Sequence, residues 1–227
     1  PYTGYPCFSA PDEFPIALQN AGFDLFLTAN NHCLDRYTRG AIRTLHILDS
    51  IGADHIGTYD SKDSFERFYP FITSIKGIRI AFLNYTYGTN GFTPHSPLIV
   101  NYIDEEKIKK DIFRAKTLSA DLIVACLHWG DEYQLLPNKR QEDLADFLAK
   151  EGVQLIIGAH PHVIQPMELR YDEQGNPCAL IVYSLGNFIS NMKTRDTVGG
   201  AMVKVVIRRD ITGKILLQSA QHTLVYT

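Results

Sequence analysis

The sequence predicts an α/β fold, an α+β sandwich in which a largely parallel sheet is covered on both faces and is joined by antiparallel strands in its last third. Three observations carry this. Amphipathic helical stretches, several closed by glycine, precede short apolar runs along the first two-thirds of the chain. Those runs are continuously apolar rather than alternating, as strands buried on both faces are. From Val163 onward, short strands alternate with turn signals.

Taken in order, Phe14–Ala21 reads as a helix with Gly22 as its C-cap, followed by the strand Phe23–Thr28. Thr38–Ile51 repeats the pattern, with Ile42, Leu45 and Leu48 at helical spacing and Gly52 closing it. Tyr69–Ser74 and Ile78–Tyr85 flank Lys76-Gly77 and read as a hairpin. Asp104–Ser119 is a charged amphipathic helix before the apolar strand Leu122–Leu127. Asn138–Glu151 is a further helix, stopped by Gly152, before the strand Val153–Ile157. Turns are expected at Asp172–Pro177 and Asp210–Gly213. No linker or low-complexity tract interrupts this order, so one domain over residues 1–227 is expected.

Composition narrows the function classes. Lys and Arg number 22 against 25 Asp and Glu, a net charge of −3 that offers no electrostatic footprint for nucleic acid or an anionic membrane. No apolar run approaches the ~20 residues of a membrane span. A chain of this length buries enough surface to fold without disulfides or a structural metal. Cys7, Cys33, Cys126 and Cys178 are widely spaced, with no C-x-x-C among them. The chain starts at Pro1 with no targeting signal legible.

The chemistry gathers at strand ends. Phe23–Thr28 runs into Asn30-Asn31-His32, with Asp35 beyond; Leu122–Leu127 runs into His128-Trp129-Gly130-Asp131-Glu132-Tyr133. Val153–Ile157 runs into His160-Pro161-His162, and Ala179–Tyr183 into Ser184-Leu185-Gly186-Asn187. Parallel strands point one way, so residues after their C-terminal ends converge where open α/β sheets bind ligands. Imidazole is the commonest metal ligand, and mixed nitrogen and oxygen donors suit divalent transition metals. In an extended stretch, His160 and His162 would face the same side. Plainer readings stand beside these. Asn30-Asn31-His32 could be a turn; Trp129 and Tyr133 could be a substrate-stacking wall or buried packing; Asp131 and Glu132 could orient a ligating His. His46 (mid-helix), His55 and His95 (loops) and His222 (a C-terminal strand) are expected to be structural or exposed. G-x-S-x-G, Walker A, G-x-G-x-x-G after a strand and H-E-x-x-H are all absent, which leaves metal-assisted hydrolysis or phosphoryl transfer as the best-supported chemistry.

These residues resemble the bacterial capsule-synthesis, poly-γ-glutamate biosynthesis (CapA/PgsA-type) family. The similarity runs through Gly4-Tyr5-Pro6, Phe8-Ser9-Ala10-Pro11, Ala29-Asn30-Asn31-His32 with Asp35, and His128-Trp129-Gly130 with Glu132-Tyr133. It continues through Gly158-Ala159-His160-Pro161-His162 with Gln165, and ends at Tyr183-Ser184-Leu185-Gly186-Asn187-Phe188. The resemblance implies the layered fold of calcineurin-like metallophosphoesterases and a divalent metal, Mn, Zn or Fe. It assigns Asn31, His128, His160 and His162 as metal ligands and His32 as the catalytic acid or phosphate contact. Asp35, Trp129, Glu132, Tyr133, Gln165, Ser184 and Asn187 would then line the substrate site. It also implies the cell envelope, a membrane-associated capsule complex, and an anionic polymer or a phosphoester small molecule as substrate.

The chain departs from the family pattern in two places. A Gly-Asp strand end and an Asn-Leu-Glu stretch, expected upstream of Gly-Tyr-Pro, do not occur, and Asp24 precedes its strand. Asp35 and Gly40 stand farther apart than Asp-x-Gly. The expectation is therefore a domain lacking its N-terminal strand or strands, with an incomplete two-metal site, an exposed sheet edge and a tendency to dimerise. The competing expectation is a non-catalytic module that binds an anionic polymer or cell-wall fragment.

Overall fold

Leu122–Leu127 is apolar at every position, so a strand built from it must be covered on both faces. The computed structural model, which describes residues 2–227, buries all six of these residues. In chain order its elements are α1 (Glu13–Asn20), β1 (Leu25–Leu27), α2 (Tyr37–Ser50), β2 (Asp54–Ile56), β3 (Thr58–Tyr59), α3 (Lys62–Phe68), β4 (Phe71–Ile75), β5 (Ile78–Thr86) and β6 (Ile99–Val100). They continue with α4 (Glu105–Thr117), β7 (Leu122–His128), α5 (Lys139–Lys150), β8 (Leu155–Ala159), β9 (Met167–Tyr171), β10 (Pro177–Val182), β11 (Gly199–Arg209) and β12 (Ile215–Tyr226). Two compact units emerge: the residues up to Phe71 with Leu83–Ile103, and Ile72–Phe82 with Asp104–Thr227.

The second unit is organised on the sheet β4-β5-β7-β8-β10-β9. β7 pairs parallel with β8, and β8 parallel with β10, while β9 returns antiparallel at the edge. Antiparallel pairing in the last third thus holds for β9 and for the β11–β12 ribbon, but not for β10. The reason is burial. Ala179–Val182 is buried throughout, a pattern suited to a parallel interior position, and the Asp172 turn places β9 outside it. Ile80, Leu122, Val124 and Cys126 form a core cluster joined by Leu155, Ile157, Ile207 and Ile215. Each fully buried aliphatic chain there contributes about 1.5–3 kcal/mol relative to exposure.

The helices of this unit start where their capping residues dictate. Asp104 accepts from the Lys107 backbone N–H, and Ile108, Ile112 and Ala115 form the buried stripe of α4. Asn138 and Gln141 form a reciprocal capping box at α5, whose Leu144, Ala145 and Leu148 are buried. The Lys76-Gly77 hairpin is present, with both residues at positive φ.

In the first unit β1 pairs parallel with β2, and β3 antiparallel with β6. β1 is only three residues long, shorter than the apolar run around it. α2 buries Ala41, Leu45 and Leu48, packing Ala41 and Leu45 with Leu34, Leu98 and Val100; Ile42, expected on that face, is half-buried at its margin. Among the described residues, no helix is long and apolar enough to cross a membrane.

One ionic contact ties the far end of the β11–β12 ribbon to the start of β7. Asp121 accepts from the Arg79 backbone N–H at 2.8 Å and from Arg209 Nη2 at 2.6 Å. The Arg209 bond, with that from Arg79, holds the Asp121 carboxyl below its ordinary value of 3.8. A lowered folded-state value stabilises the fold above the unfolded value, and that contribution is lost as pH falls through the folded one. Asp121→Asn is therefore expected to cost about 1 kcal/mol at neutral pH, the site being partly exposed. The gap between parent and variant should close below pH 3.8 when unfolding is measured across that range. A gap independent of pH would contradict the assignment.

Candidate functional site

The parallel register pairs His128 with Ala159, so β7 and β8 end level and His160 follows immediately. The His128 and His160 rings lie 4.8 Å apart between centroids, and those of His160 and His162 6.2 Å apart. Extended backbone does not bring them together. His160 has φ 109° and His162 φ 61°, both in the left-handed region that costs a side-chain-bearing residue of order 1–3 kcal/mol. The expectation that alternation along a strand aligns the pair is corrected: two left-handed residues around the buried Pro161 turn the rings toward one region. Strain of this kind persists only where the surroundings over-determine it.

The surroundings do so. Trp129 is buried, stacks on Tyr183 at 6.0 Å and 19°, and donates from Nε1 to the Tyr183 carbonyl at 2.9 Å. A Cβ on Gly158 would collide with that carbonyl and with the indole nitrogen, so this approach needs glycine. Gln165 accepts from Gln141 Nε2 at 2.9 Å and donates to the carbonyls of Gln134 and Leu136, holding the loop after β7. Ser184 is fully buried, with its Oγ accepting from the Gly186 N–H. Trp129, Gln165 and Ser184 thus use their polar groups within the fold, and packing is the role the structure gives Trp129. Tyr133, by contrast, is exposed. Its N–H donates to the Pro161 carbonyl at 2.8 Å, and its ring stacks on His162 at 6.0 Å and 22°. Glu132 is exposed, and Asp131 accepts from Asn138 at 2.7 Å. Asn187 is buried and meets His162 Nδ1 with its Oδ1 at 2.9 Å.

In the first unit the turn after β1 is built by side chains. Asn30 Oδ1 accepts from the His32 N–H at 2.9 Å, and the Ala29 N–H donates to Asn84 Oδ1 at 2.9 Å. His32 Nδ1 lies 2.8 Å from Asp35 Oδ2, which also accepts from the Phe8 N–H at 2.8 Å. The Phe8 ring stands edge-on to the imidazole at 4.7 Å. Asp35 is buried, and its Oδ1 has no hydrogen-bond partner among the described residues. Asn31 is buried and donates to Asn90 Oδ1 at 3.2 Å. Asn90 escaped sequence reasoning; its signal was the Thr89-Asn90-Gly91 turn, where Asn90 takes φ 50°. Burial pushes the Cys33 thiol up to about 11, which removes it as a nucleophile. A groove of about 600 Å³ opens in this unit, lined by Phe8, Phe14, Leu18, Phe26, His32 and Asp35 among others.

The remaining imidazoles stand outside these clusters. His46, His95 and His222 are exposed; His55 lies in β2 rather than a loop, with Nε2 3.0 Å from Asp49.

Imidazole donors at adjacent strand ends suit a transition-metal ion in type. Among the described residues, no three His, Cys, Asp or Glu side chains close into a metal-holding group. The second unit therefore brings three imidazoles near one another without closing them into such a group.

Solved structures place the fold. An NAD nucleotidase from Haemophilus influenzae superposes over 92% of this chain and 41% of its own, with TM-score 0.59 at 13% identity. A 5'-nucleotidase from Staphylococcus aureus covers 93% and 40%, with TM-score 0.62 at 16% identity. The calcineurin-like phosphoesterase YfkN from Bacillus subtilis covers 93% and 66%, with TM-score 0.52 at 16% identity. The protein has the fold class of the calcineurin-like phosphoesterases and 5'-nucleotidases. Within that class, the model of the bacterial capsule synthesis protein family PGA_cap matches residues 1–192, and the chain belongs to this family. It is 32% identical over 210 residues to the capsule biosynthesis protein CapA of Bacillus anthracis, covering 88% of this chain and 48% of the relative. It is 30% identical over 214 residues to the PGA biosynthesis protein CapA of Bacillus subtilis strain 168, covering 87% and 50%. The chain spans about half the length of these curated relatives.

The Gly158 contact gives a direct check, because Trp129 is the only tryptophan. Gly158→Ala is expected to cost roughly 1–3 kcal/mol in chemical unfolding and to red-shift tryptophan emission as the indole separates from Tyr183. Unchanged stability and emission would contradict the packing described.

Proposed function

We propose that this member of the capsule-synthesis family is a metal-dependent phosphoesterase-like hydrolase acting on a phosphoester or a related bond of an anionic polymer or its precursor at the cell envelope. The observation that carries this reading is the cluster His128, His160 and His162 at level strand ends, two of them in strained left-handed backbone. A fold maintains such strain where it positions chemistry.

His128, His160 and His162 would hold the ion, in the type of donor set that Mn, Zn or Fe accepts. When bound, the ion supplies Lewis-acid polarisation and an activated water. The chain's own residues do the rest. Within the first unit the Asn31 amide is oriented through its Nδ2 bond to Asn90 Oδ1. Asp35 accepts from His32 Nδ1–H and fixes the ring; the doubly protonated ring would give its Nε2 proton to a leaving oxygen and return to the Nδ1–H tautomer. Tyr133, exposed and stacked on His162, and Glu132 are the side chains available to a substrate. The nucleotidase names of the structural neighbours favour phosphoesters as the substrate class.

A second reading rests on the unclosed donor set: a non-catalytic module that binds an anionic polymer such as a polyglutamate. Titration with Mn²⁺ or Zn²⁺, and hydrolysis of bis-p-nitrophenyl phosphate before and after chelation, separates the two. The enzymatic reading expects stoichiometric metal, turnover abolished by chelation, and at least a ~100-fold loss of both in a His160→Ala, His162→Ala double variant, since these are direct ligands. No metal by elemental analysis and no metal-dependent turnover would overturn it. Polyglutamate binding indifferent to chelation and to the double variant would establish the second reading.

A further inference from the structure

The bond between His162 and Asn187 has a direction that the surrounding groups determine. Asn187 is buried, and its Nδ2 lies 2.9 Å from the Thr197 carbonyl oxygen. A carbonyl oxygen only accepts, so the amide nitrogen must be the group facing Thr197. A second contact agrees, since Nδ2 also points at Met192 Sδ, 3.6 Å away, a weak acceptor. The amide cannot be turned over without setting oxygen against oxygen. Asn187 Oδ1 therefore faces His162 Nδ1 at 2.9 Å as an acceptor, and Nδ1 must carry the hydrogen.

The frame around Asn187 is rigid. Its own N–H donates to the Gly199 carbonyl at 3.0 Å. Gly200 packs so closely on the Asn187 carbonyl that a Cβ there would collide with it. Thr197 is buried, and its hydroxyl meets Thr194 Oγ1 at 2.7 Å and donates to the Thr194 carbonyl at 3.0 Å, which closes the short turn presenting the Thr197 carbonyl. On the other side, Tyr133 stacks over the imidazole. His162 is held at its Nδ1 edge and on one face.

We propose that Asn187 is a positioning residue: by accepting from Nδ1–H it holds His162 in the Nδ1-protonated tautomer and makes Nε2 the only nitrogen able to bind a metal ion. The free imidazole side chain samples both tautomers, and the Asn187–Thr197 relay selects one before any ligand arrives. Partners of this kind orient a ligating ring and tune its basicity. The inference rests on the metal-site reading above for its consequence; the tautomer itself follows from the hydrogen bonds alone.

The test has two arms. Long-range ¹H–¹⁵N correlation spectra of the metal-free chain in alkaline buffer, with His162 assigned by its loss in His162→Gln, read the tautomer directly. The parent is expected to show a protonated Nδ1 and a bare Nε2. Asn187→Ala, checked for an unchanged circular dichroism spectrum, is expected to show averaged nitrogens. Calorimetric titration with Mn²⁺ alone is then expected to show a ~10–100-fold weaker site in Asn187→Ala. A parent ring protonated at Nε2, or a tautomer unchanged by Asn187→Ala, overturns the proposal. So does Mn²⁺ affinity equal in parent and variant. If Asn187→Ala does not fold, the parent spectrum decides the tautomer by itself. If the parent shows the Nδ1–H tautomer but neither it nor His162→Gln takes up Mn²⁺, the metal reading fails while the hydrogen-bond assignment stands.

Discussion

The level ending of β7 and β8 is the constraint on which the second unit turns. Both strands are apolar and packed inside the sheet, and their parallel register places His128 beside Ala159. All six residues Leu122–Leu127 are buried, so β7 is packed on both faces where it pairs with β8. That register puts Ala159 beside His128, and the bend at His160 sets its ring 4.8 Å from that of His128. The close approach of Gly158 to the Tyr183 carbonyl and the Trp129 indole then sets how near β8 can lie to its neighbours. Here the hydrophobic pattern of the strands becomes the placement of two imidazoles.

From His160 onward the fold works against local preference. Two histidines in left-handed backbone are unfavourable in isolation, and several independent contacts restrain them: Tyr133 N–H on the Pro161 carbonyl, the Tyr133 ring on His162, and Asn187 on Nδ1. The first unit uses a different device. There Asn30 builds the turn, and Asp35, fixed by the Phe8 N–H, orients His32 from three residues away. In both units an imidazole is held through Nδ1 by an oxygen acceptor, carboxylate in one and amide in the other.

Much of this was legible before any coordinates. The run Leu122–Leu127 could only be a doubly buried strand, and Asn138 three residues before Gln141 announced the start of α5. His128, His160 and His162 were marked by their position after apolar runs, and the resemblance pointed to the capsule-synthesis family that the matched residues 1–192 establish. What escaped was long-range or backbone-specific. The pairing of β10 beside β8 depended on β9 folding outside it, which hydropathy does not encode. Left-handed histidines carry no sequence signature, because glycine is the residue that usually announces such backbone. Asn90 meets Asn31 across 59 positions and Asn187 meets His162 across 25, distances over which only tertiary packing brings amides to imidazoles and to one another.

That His128, His160 and His162 form a metal site is tested most directly by pulsed electron paramagnetic resonance of the chain loaded with Mn²⁺. Coordinated imidazole nitrogen modulates the echo with ¹⁴N frequencies that water and carboxylate ligands do not produce. The proposed metal site predicts these modulations in the parent and their weakening when His128, His160 and His162 are replaced singly. A spectrum equal to that of hydrated Mn²⁺, with no nitrogen modulation, would contradict it.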